Sequence, residues 1–563
     1  AAAAAVLYLR PAPLRGSVEK YEISFPGLIL DSSHRPALSP DGRKILYVGA
    51  GGLWIRDLAS LESRLLTGTE GASFPIWSPD GSMIAFSRQG GIWTMPQAGG
   101  QASLVADAVG LLESVGGISW DDQDGILFAT GDGGISEIPS RGGEARSLVE
   151  PDQKTVSDMH DPRALPGERG ILYVAHRMAS TFDSIRLLAN GESSTLLQID
   201  DQELRTPVYS PAGYLLYGRQ SGNAGLWAVA FSLSDSKVTG EPFLVARDAS
   251  FPSVASDGSI LFAWKVQALR RQLVWRDREG KEAGTVGPDM ESIQSPALSP
   301  DGRHVAAMVQ ENSTWDIWSL DIERGTRLRL TFTPAKDWDP AWSADGRQVL
   351  FWEGKTRAVS TKPSDGTGAL ERLVKEDFLD SGEPMASPDG KTLIFWVRNT
   401  DTKGDIYVMP LDGERRPVPF LHSPFGEDEP RFSPDGKLVA YISDESGRRE
   451  IYLTTFPGAQ GKWQVSVNGG NDERWDPRGG RLYYLQGADL MEVEVATSPS
   501  VSLGTPQKLF TIDGIDTDAW WLNRFAVSAD GQRFLVAKTL KPEGSGPTMV
   551  LVKNWVREFD RKD

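Results

Sequence analysis

PALSPDGRKILYV, residues 36–48, decides the fold, because copies of it return along the whole chain. The clear ones are PIWSPDGSMIAFS (75–87), SVASDGSILFAW (253–264), PALSPDGRHVAAM (296–308), PAWSADGRQVLFW (340–352), PMASPDGKTLIFW (384–396) and PRFSPDGKLVAYI (430–442). Weaker ones are ISWDDQDGILFAT (118–130), RALPGERGILYVA (163–175), PVYSPAGYLLYG (207–218), RWDPRGGRLYYL (474–485) and FAVSADGQRFLVA (525–537). That makes twelve repeats, with most of their turn glycines 43 to 46 residues apart. Spacing of this size marks an array of small supersecondary units.

Each unit has a local physical reading. An apolar strand enters a turn in which Pro fixes φ, Asp closes an Asx-turn and Gly accepts positive φ. A second apolar strand leaves at once. A third follows a further Gly or Asp signal, as in GGLWIRDL (51–58) or DIYVMPLD (405–412), and a polar edge strand such as ESRLLTG (62–68) or TRLRLTF (326–332) ends the unit. Four short antiparallel strands per 40–45 residues describe a propeller blade. Twelve blades exceed the usual ring of about eight, so two rings of six are expected, with five plus seven as the alternative grouping. The weakest boundary, ALRRQLVWRDREGKEAGTVGPDMES (268–292), sets the expected domains: linker 1–17, first propeller 18–288, second propeller 289–558 and tail 559–563. YEISFP (21–26) is the candidate closing strand of the first ring, and TMVLVKNW (548–555) is expected to complete the last blade of the second.

Composition agrees with an all-β, solvated protein. Gly 59, Pro 36 and Trp 18 suit many turns between short aromatic-bearing strands. A mean hydropathy of −0.31 excludes a membrane-embedded body. The net charge of −17 repels phosphate backbones, so nucleic acid is not an expected partner. With no Cys there are no disulfides, thiolate metal sites or Cys nucleophiles. The first nine residues of AAAAAVLYLRPAP are apolar, too few to span a bilayer but suited to the remnant of a transmembrane helix.

The repeats resemble the TolB-type propeller family, in which a strand, W/F-S-P-D-G, a strand and a D-I-Y/W strand recur; the likeness covers roughly residues 30 to 556. In the second half, LVWRDREGKEAGTVG, DIWSLDIERGTRLRLTF, PFGEDEPRFSPDGKLVAYISDESGRREIYLTTFPG and RFAVSADGQRFLVA resemble the C-terminal propellers of bacterial membrane-anchored serine/threonine protein kinases. That resemblance implies an extracytoplasmic sensor or scaffold, anchored in the full-length protein by a helix before the first propeller. The chain lacks the Gly-rich phosphate loop, H-R-D and D-F-G, so kinase activity would belong to another portion.

Catalytic signals are absent from the sequence: there is no G-x-S-x-G elbow and no H-E-x-x-H. Of the five histidines, His34 and His160 fall near the start of first strands, where a pair at one channel mouth can bind a metal. The recurring turn Asp is read as structural because the turns need it, and the third-strand residues Trp54, Trp93, Trp227, Trp275 and Trp318 because they fall at one repeat position, suited to packing between blades. The position seven before the turn Gly behaves differently. In the second ring it reads Ser295, Asp339, Glu383, Glu429, Glu473 and Arg524, whereas the aligned positions of the first ring read Arg35, Phe74, Gly117, Asp161, Thr206 and Phe251. Four consecutive carboxylates at one channel mouth call for a cation (calcium is the candidate), a basic peptide group, or solvation with pairing to Arg431 and Arg474. The expected function is a non-catalytic binding module for a protein, peptide or small ligand. The alternatives are a structural part of a cell-envelope assembly and a metal-assisted lyase or hydrolase working in a channel.

Overall fold

The computed structural model describes residues 17–559 except 26, 31–32, 61, 107–115, 130–133, 152–155, 178–182, 200–202, 220–222, 265–269, 291, 312–313, 334–335, 377, 379, 399–403, 514, 516–522 and 541–547. The Ala-rich start that carries the membrane-helix expectation lies outside the described residues. Among those described, regular structure is β-strand apart from one 3₁₀ turn, Trp555–Glu558. No helix among them is long and apolar enough to cross a membrane. The strands form twelve antiparallel sheets, ten of four strands and two of five.

The turn that marks each repeat is built as its sequence implies, with one addition. Asp435 Oδ1 accepts the Lys437 N–H at 3.2 Å, and Gly436 adopts φ 68°. The added member is the serine. Ser433 Oγ donates to Asp435 at 2.7 Å and accepts the Leu438 N–H at 2.9 Å, tying the turn to the strand beyond it. The same triangle recurs at Ser299/Asp301 and Ser528/Asp530. The second strand of a unit is the core element: Leu438–Ser443 is buried along its whole length, whereas the edge strand Arg327–Arg329 is largely exposed.

The chain divides into two compact units, Ala268–Gly544 and the remainder (Ala1–Gln267 with Ser545–Asp563). Six sheets fall in each. In the first unit the first strands touch in a closed cycle: Ala37–Leu38, Ser73–Trp77, Ile118–Trp120, Val156–Ala164, Leu204–Ser210, Ala249–Val254 and back to Ala37–Leu38. The second unit closes likewise through Ser292–Leu298, Asp337–Trp342, Asp380–Ala386, Glu427–Phe432, Asn471–Trp475 and Phe525–Val527. Tryptophans of the W-S-P-D-G type join neighbouring sheets. Trp77, Trp342 and Trp475 donate from Nε1 to the carbonyls of Ala37, Ala297 and Arg431 on the preceding first strand, at 3.0, 2.9 and 3.2 Å. Each such bond adds about 1 kcal/mol to sheet packing.

Closure differs from the expectation in one strand and in the domain boundary. Glu19–Ile23 does lie in the first unit, but its partner there is Thr548–Lys553, which also pairs with Ile260–Trp264. The strand assigned to the second ring thus completes the first. The last sheet of the second unit is filled by Arg271–Asp277, paired with Arg533–Thr539, and by Glu282–Met290. Residues 271–290, placed in the first propeller up to 288, therefore belong to the second unit. The reason is packing: Met549 and Leu551 join the cluster of Tyr47 and Leu261, while Leu273, Trp275 and Val286 join that of Val305 and Leu535.

Candidate functional site

The position singled out by sequence has a backbone signature. Phe74, Asp161, Thr206, Phe251, Ser295, Asp339, Glu383 and Glu429 each precede a proline, and each has φ between 48° and 57°. A proline cannot donate to the ladder. The register of the first strand therefore shifts there in every one of these sheets, for example between Gly382 and Met385. Such a bulge re-aims the side chain. Because it recurs in both units, the strained φ belongs to the scaffold, and the side chain alone distinguishes one sheet from another.

The re-aimed side chains converge from non-adjacent sheets of a unit. In the first unit Arg35 ion-pairs with the fully buried Asp161 and lies 5.8 Å from the ring centres of Phe74 and Phe251. Asp161 also accepts the Thr206 N–H at 3.0 Å. Burial alone raises the Asp161 pKa, yet Arg35 and the His160 hydrogen bond outweigh it and hold the carboxyl well below its usual range.

In the second unit the hub is Asn523. Its Oδ1 accepts from Arg431 at 2.9 Å and from Arg474, its Nδ2 donates to Asp339 at 3.3 Å, and its N–H donates to Ser295 Oγ at 3.3 Å. Glu383 accepts the Glu429 N–H at 2.5 Å. Arg449 pairs with Asp428 at 2.5 Å and with Glu429 at 3.3 Å, and Arg524 Nε donates to Asp472 at 2.6 Å. Five of the predicted residues are thus brought into one region, but as an arginine-bridged network rather than a solvated acidic rim. Glu429 and Glu473 are buried, and Arg524 is 7% exposed.

One register is corrected. In RWDPRGGRLYYL the turn glycine is Gly479, whose N–H donates to Asp476 as that of Gly436 does to Ser433. Counting seven back gives Asp472, which has the positive φ of 58°. Counting from Gly480 instead gives Glu473. It is fully buried, and neither of its carboxylate oxygens has a hydrogen-bond partner; Glu429 Oε2 also lacks one.

Burial dominates the electrostatics here. It pushes Asp339 up to about 7 against the pull of Arg431 and Arg474. Burial, then the charges of Asp428 and Asp339, push Glu383 up to about 8. Glu429 is raised well above the usual range by burial and then by Asp472, and Glu473 by burial and then by Glu429. A carboxyl that keeps its proton is a donor as well as an acceptor.

Among the described residues, one group of three ligand-type side chains lies with its ligand atoms within 4.8 Å of one another, and it is in the first unit: His160, His176 and Asp183. His160 was anticipated, but its companion is His176 rather than His34, which sits beside Ser33 at 3.2 Å. The signal for the companion was the hairpin itself. His176 is two ladder steps beyond the partner of His160 and directly opposite Asp183.

Closed cycles of four- and five-stranded antiparallel sheets, with first strands turned inward, define an all-β protein of propeller type. No protein-family model matches the chain. An uncharacterised protein of Agrobacterium fabrum is 27% identical over 153 residues, 26% of this chain and 52% of that protein. The Tol-Pal system protein TolB of Francisella tularensis subsp. mediasiatica is 23% identical over 184 residues, 32% of this chain and 42% of that protein. The chain thus spans about half the length of the curated relatives it matches. Among solved structures, a putative TolB from Agrobacterium tumefaciens is similar over 49% of this chain and 99% of its own, at 18% identity and a TM-score of 0.40. The tricorn protease covers 94% of this chain and 63% of its own, at 12% identity and a TM-score of 0.32.

Proposed function

We propose that the chain is a non-catalytic binding module whose second unit receives a basic group of a protein or peptide at its centre. One observation carries this reading. The unpartnered carboxylate oxygens of Glu429 and Glu473 lie buried near Arg449, Arg431 and Arg474, and buried polar atoms without partners are costly, about 1–3 kcal/mol each. A lysine or arginine side chain carries the donors they lack. Rigid sheets with variable inner residues suit recognition, and the sequence offers no nucleophile–base constellation for chemistry.

The finer reading is an extracytoplasmic sensor or scaffold of a membrane-anchored bacterial protein kinase. It rests on the stretches of the second half that resemble such propellers, and reading the coding sequence upstream of Ala1 tests it: kinase motifs support it, and a different domain overturns it. The binding reading is tested by fluorescence polarisation with a panel of short peptides bearing lysine or arginine against glutamine-substituted controls. Binding of the basic peptides, weakened about tenfold or more in the Glu429→Gln/Glu473→Gln double variant, is expected. Equal binding of basic and neutral peptides, or no effect of the double substitution, would overturn it.

A further inference from the structure

The first unit holds a second constellation that the binding reading does not use. His160 Nε2 and His176 Nε2 face each other at 3.0 Å. Behind them stand carboxylates: Asp161 Oδ2 lies 3.2 Å from His160 Nδ1, and Asp183 ion-pairs with His176 Nδ1. Both acids are fully buried and separately fixed, Asp161 by Arg35 and the Thr206 N–H, Asp183 by the Leu204 N–H at 3.1 Å. A carboxylate that accepts the Nδ1–H holds the ring proton on Nδ1 and leaves the Nε2 lone pair outward, which is how metal-ligating histidines are oriented. Two ring nitrogens 3.0 Å apart must share a proton or a cation between them.

We propose that His160 and His176 bind a divalent ion of the zinc, nickel or copper class through their Nε2 atoms, with Asp161 and Asp183 as orienting partners. Imidazole nitrogen selects these ions over calcium or magnesium. Two Zn–N bonds of about 2.0–2.1 Å at a tetrahedral angle put the nitrogens about 3.3 Å apart, so the rings need to open by only about 0.3 Å. The site has a firm wall and an open side. A Cβ on Gly116 would stand 2.8 Å from that of His160, so the neighbouring sheet fixes this residue, whereas the His176 side chain is 25% exposed.

Arg205 is the counterweight. Its Nη1 lies 3.1 Å from His160 Nε2, while its Nη2 is 3.9 Å from Glu203. Metal binding requires the guanidinium to swing toward Glu203, and its charge weakens the site until it does. Two histidines leave coordination positions open, so the ion is an exchangeable one that a donor from a partner can complete.

The full chain, stripped with a chelator, is titrated with Zn²⁺ by calorimetry and with Co²⁺ by visible absorption. One equivalent per chain is expected, with tetrahedral Co²⁺ bands. Affinity falls about tenfold or more in His176→Gln and His160→Asn, rises in Arg205→Gln, and is unchanged in His422→Gln. Because His160 is buried, the outcome in the part-exposed His176→Gln variant is decisive, with thermal unfolding confirming that it folds. Absence of binding up to millimolar Zn²⁺, or one equivalent bound equally well by His176→Gln, overturns the site.

Discussion

Replacing Glu383 with Gln tests the electrostatics of the second unit most directly. Glutamine keeps the shape and the oxygen that accepts the Glu429 N–H while removing the charge. Glu383 rises from an ordinary 4.5 to about 8 through burial and the neighbouring acids Asp428 and Asp339. At about 1.4 kcal/mol per unit this corresponds to about 5 kcal/mol. Glu383 keeps part of its surface in solvent, and screening brings the expected effect nearer 2–3 kcal/mol. The sign follows from proton counting. Between the two values the folded chain holds a proton that the unfolded chain has lost. Stability is therefore full below about pH 4.5 and falls as pH rises through about 8. The assay is calorimetric unfolding of the full chain at about pH 4, 6.5 and 9. Wild type and Glu383→Gln should match at the lowest pH, with the variant's second-unit transition about 4 °C higher at the highest. Parallel pH profiles would refute the argument, because they would show that Glu383 ionises as readily in the folded chain as in the unfolded one.

Two further outcomes follow from the closure and the first-unit centre. Truncation after Gly544 removes Met549, Val550, Leu551, Val552 and Trp555 from the first-unit core; at about 2–5 kcal/mol per large buried side chain this exceeds the stability of a domain, so calorimetry should lose the first-unit transition and keep the second. Arg35→Met strands the fully buried Asp161 without its ion pair, which should lower first-unit stability by about 3–5 kcal/mol in denaturant unfolding and leave the second unit unchanged.

What the sequence made legible was whatever each unit must do for itself. The turn and the buried second strand are local, so SPDG and its flanks predict them in every unit, and the polar edge strand is local in all but the closing sheet of each unit. The inner position was legible too, because X-Pro at a fixed distance from the turn sets the bulge. What failed was anything decided by a distant partner. A second glycine after the turn glycine in RWDPRGGRLYYL moves the count from Asp472 to Glu473, and only the hydrogen bond of Gly479 shows which of the two closes the turn. The pairing of acids with Arg449 and Asn523 joins residues 20 to 184 positions apart, beyond any spacing rule. His176 lay within reach of hairpin counting, but the bulge between His160 and Arg163 shifts the register that such counting assumes.

The misplaced strand shows the same limit and has a thermodynamic consequence. TMVLVK alternates as well for one sheet as for another, so its pattern cannot choose a ring. Its actual partner, Ile260–Trp264, lies about 280 residues upstream, with Trp264 opposite Thr548. Closing so long a loop in a flexible chain costs about 3 kcal/mol more than closing a ten-residue hairpin. The second unit removes most of that cost, because Arg271 and Thr539, near its two ends, are themselves ladder partners. Once the second unit has folded, the strands that complete the first are separated by two short connections instead of a long coil. The continuous unit can form without the first, and the discontinuous one closes most easily after it. A repeat array that reads as two equal rings in sequence is therefore unequal in assembly, and the inequality is carried by one strand at the end of the chain.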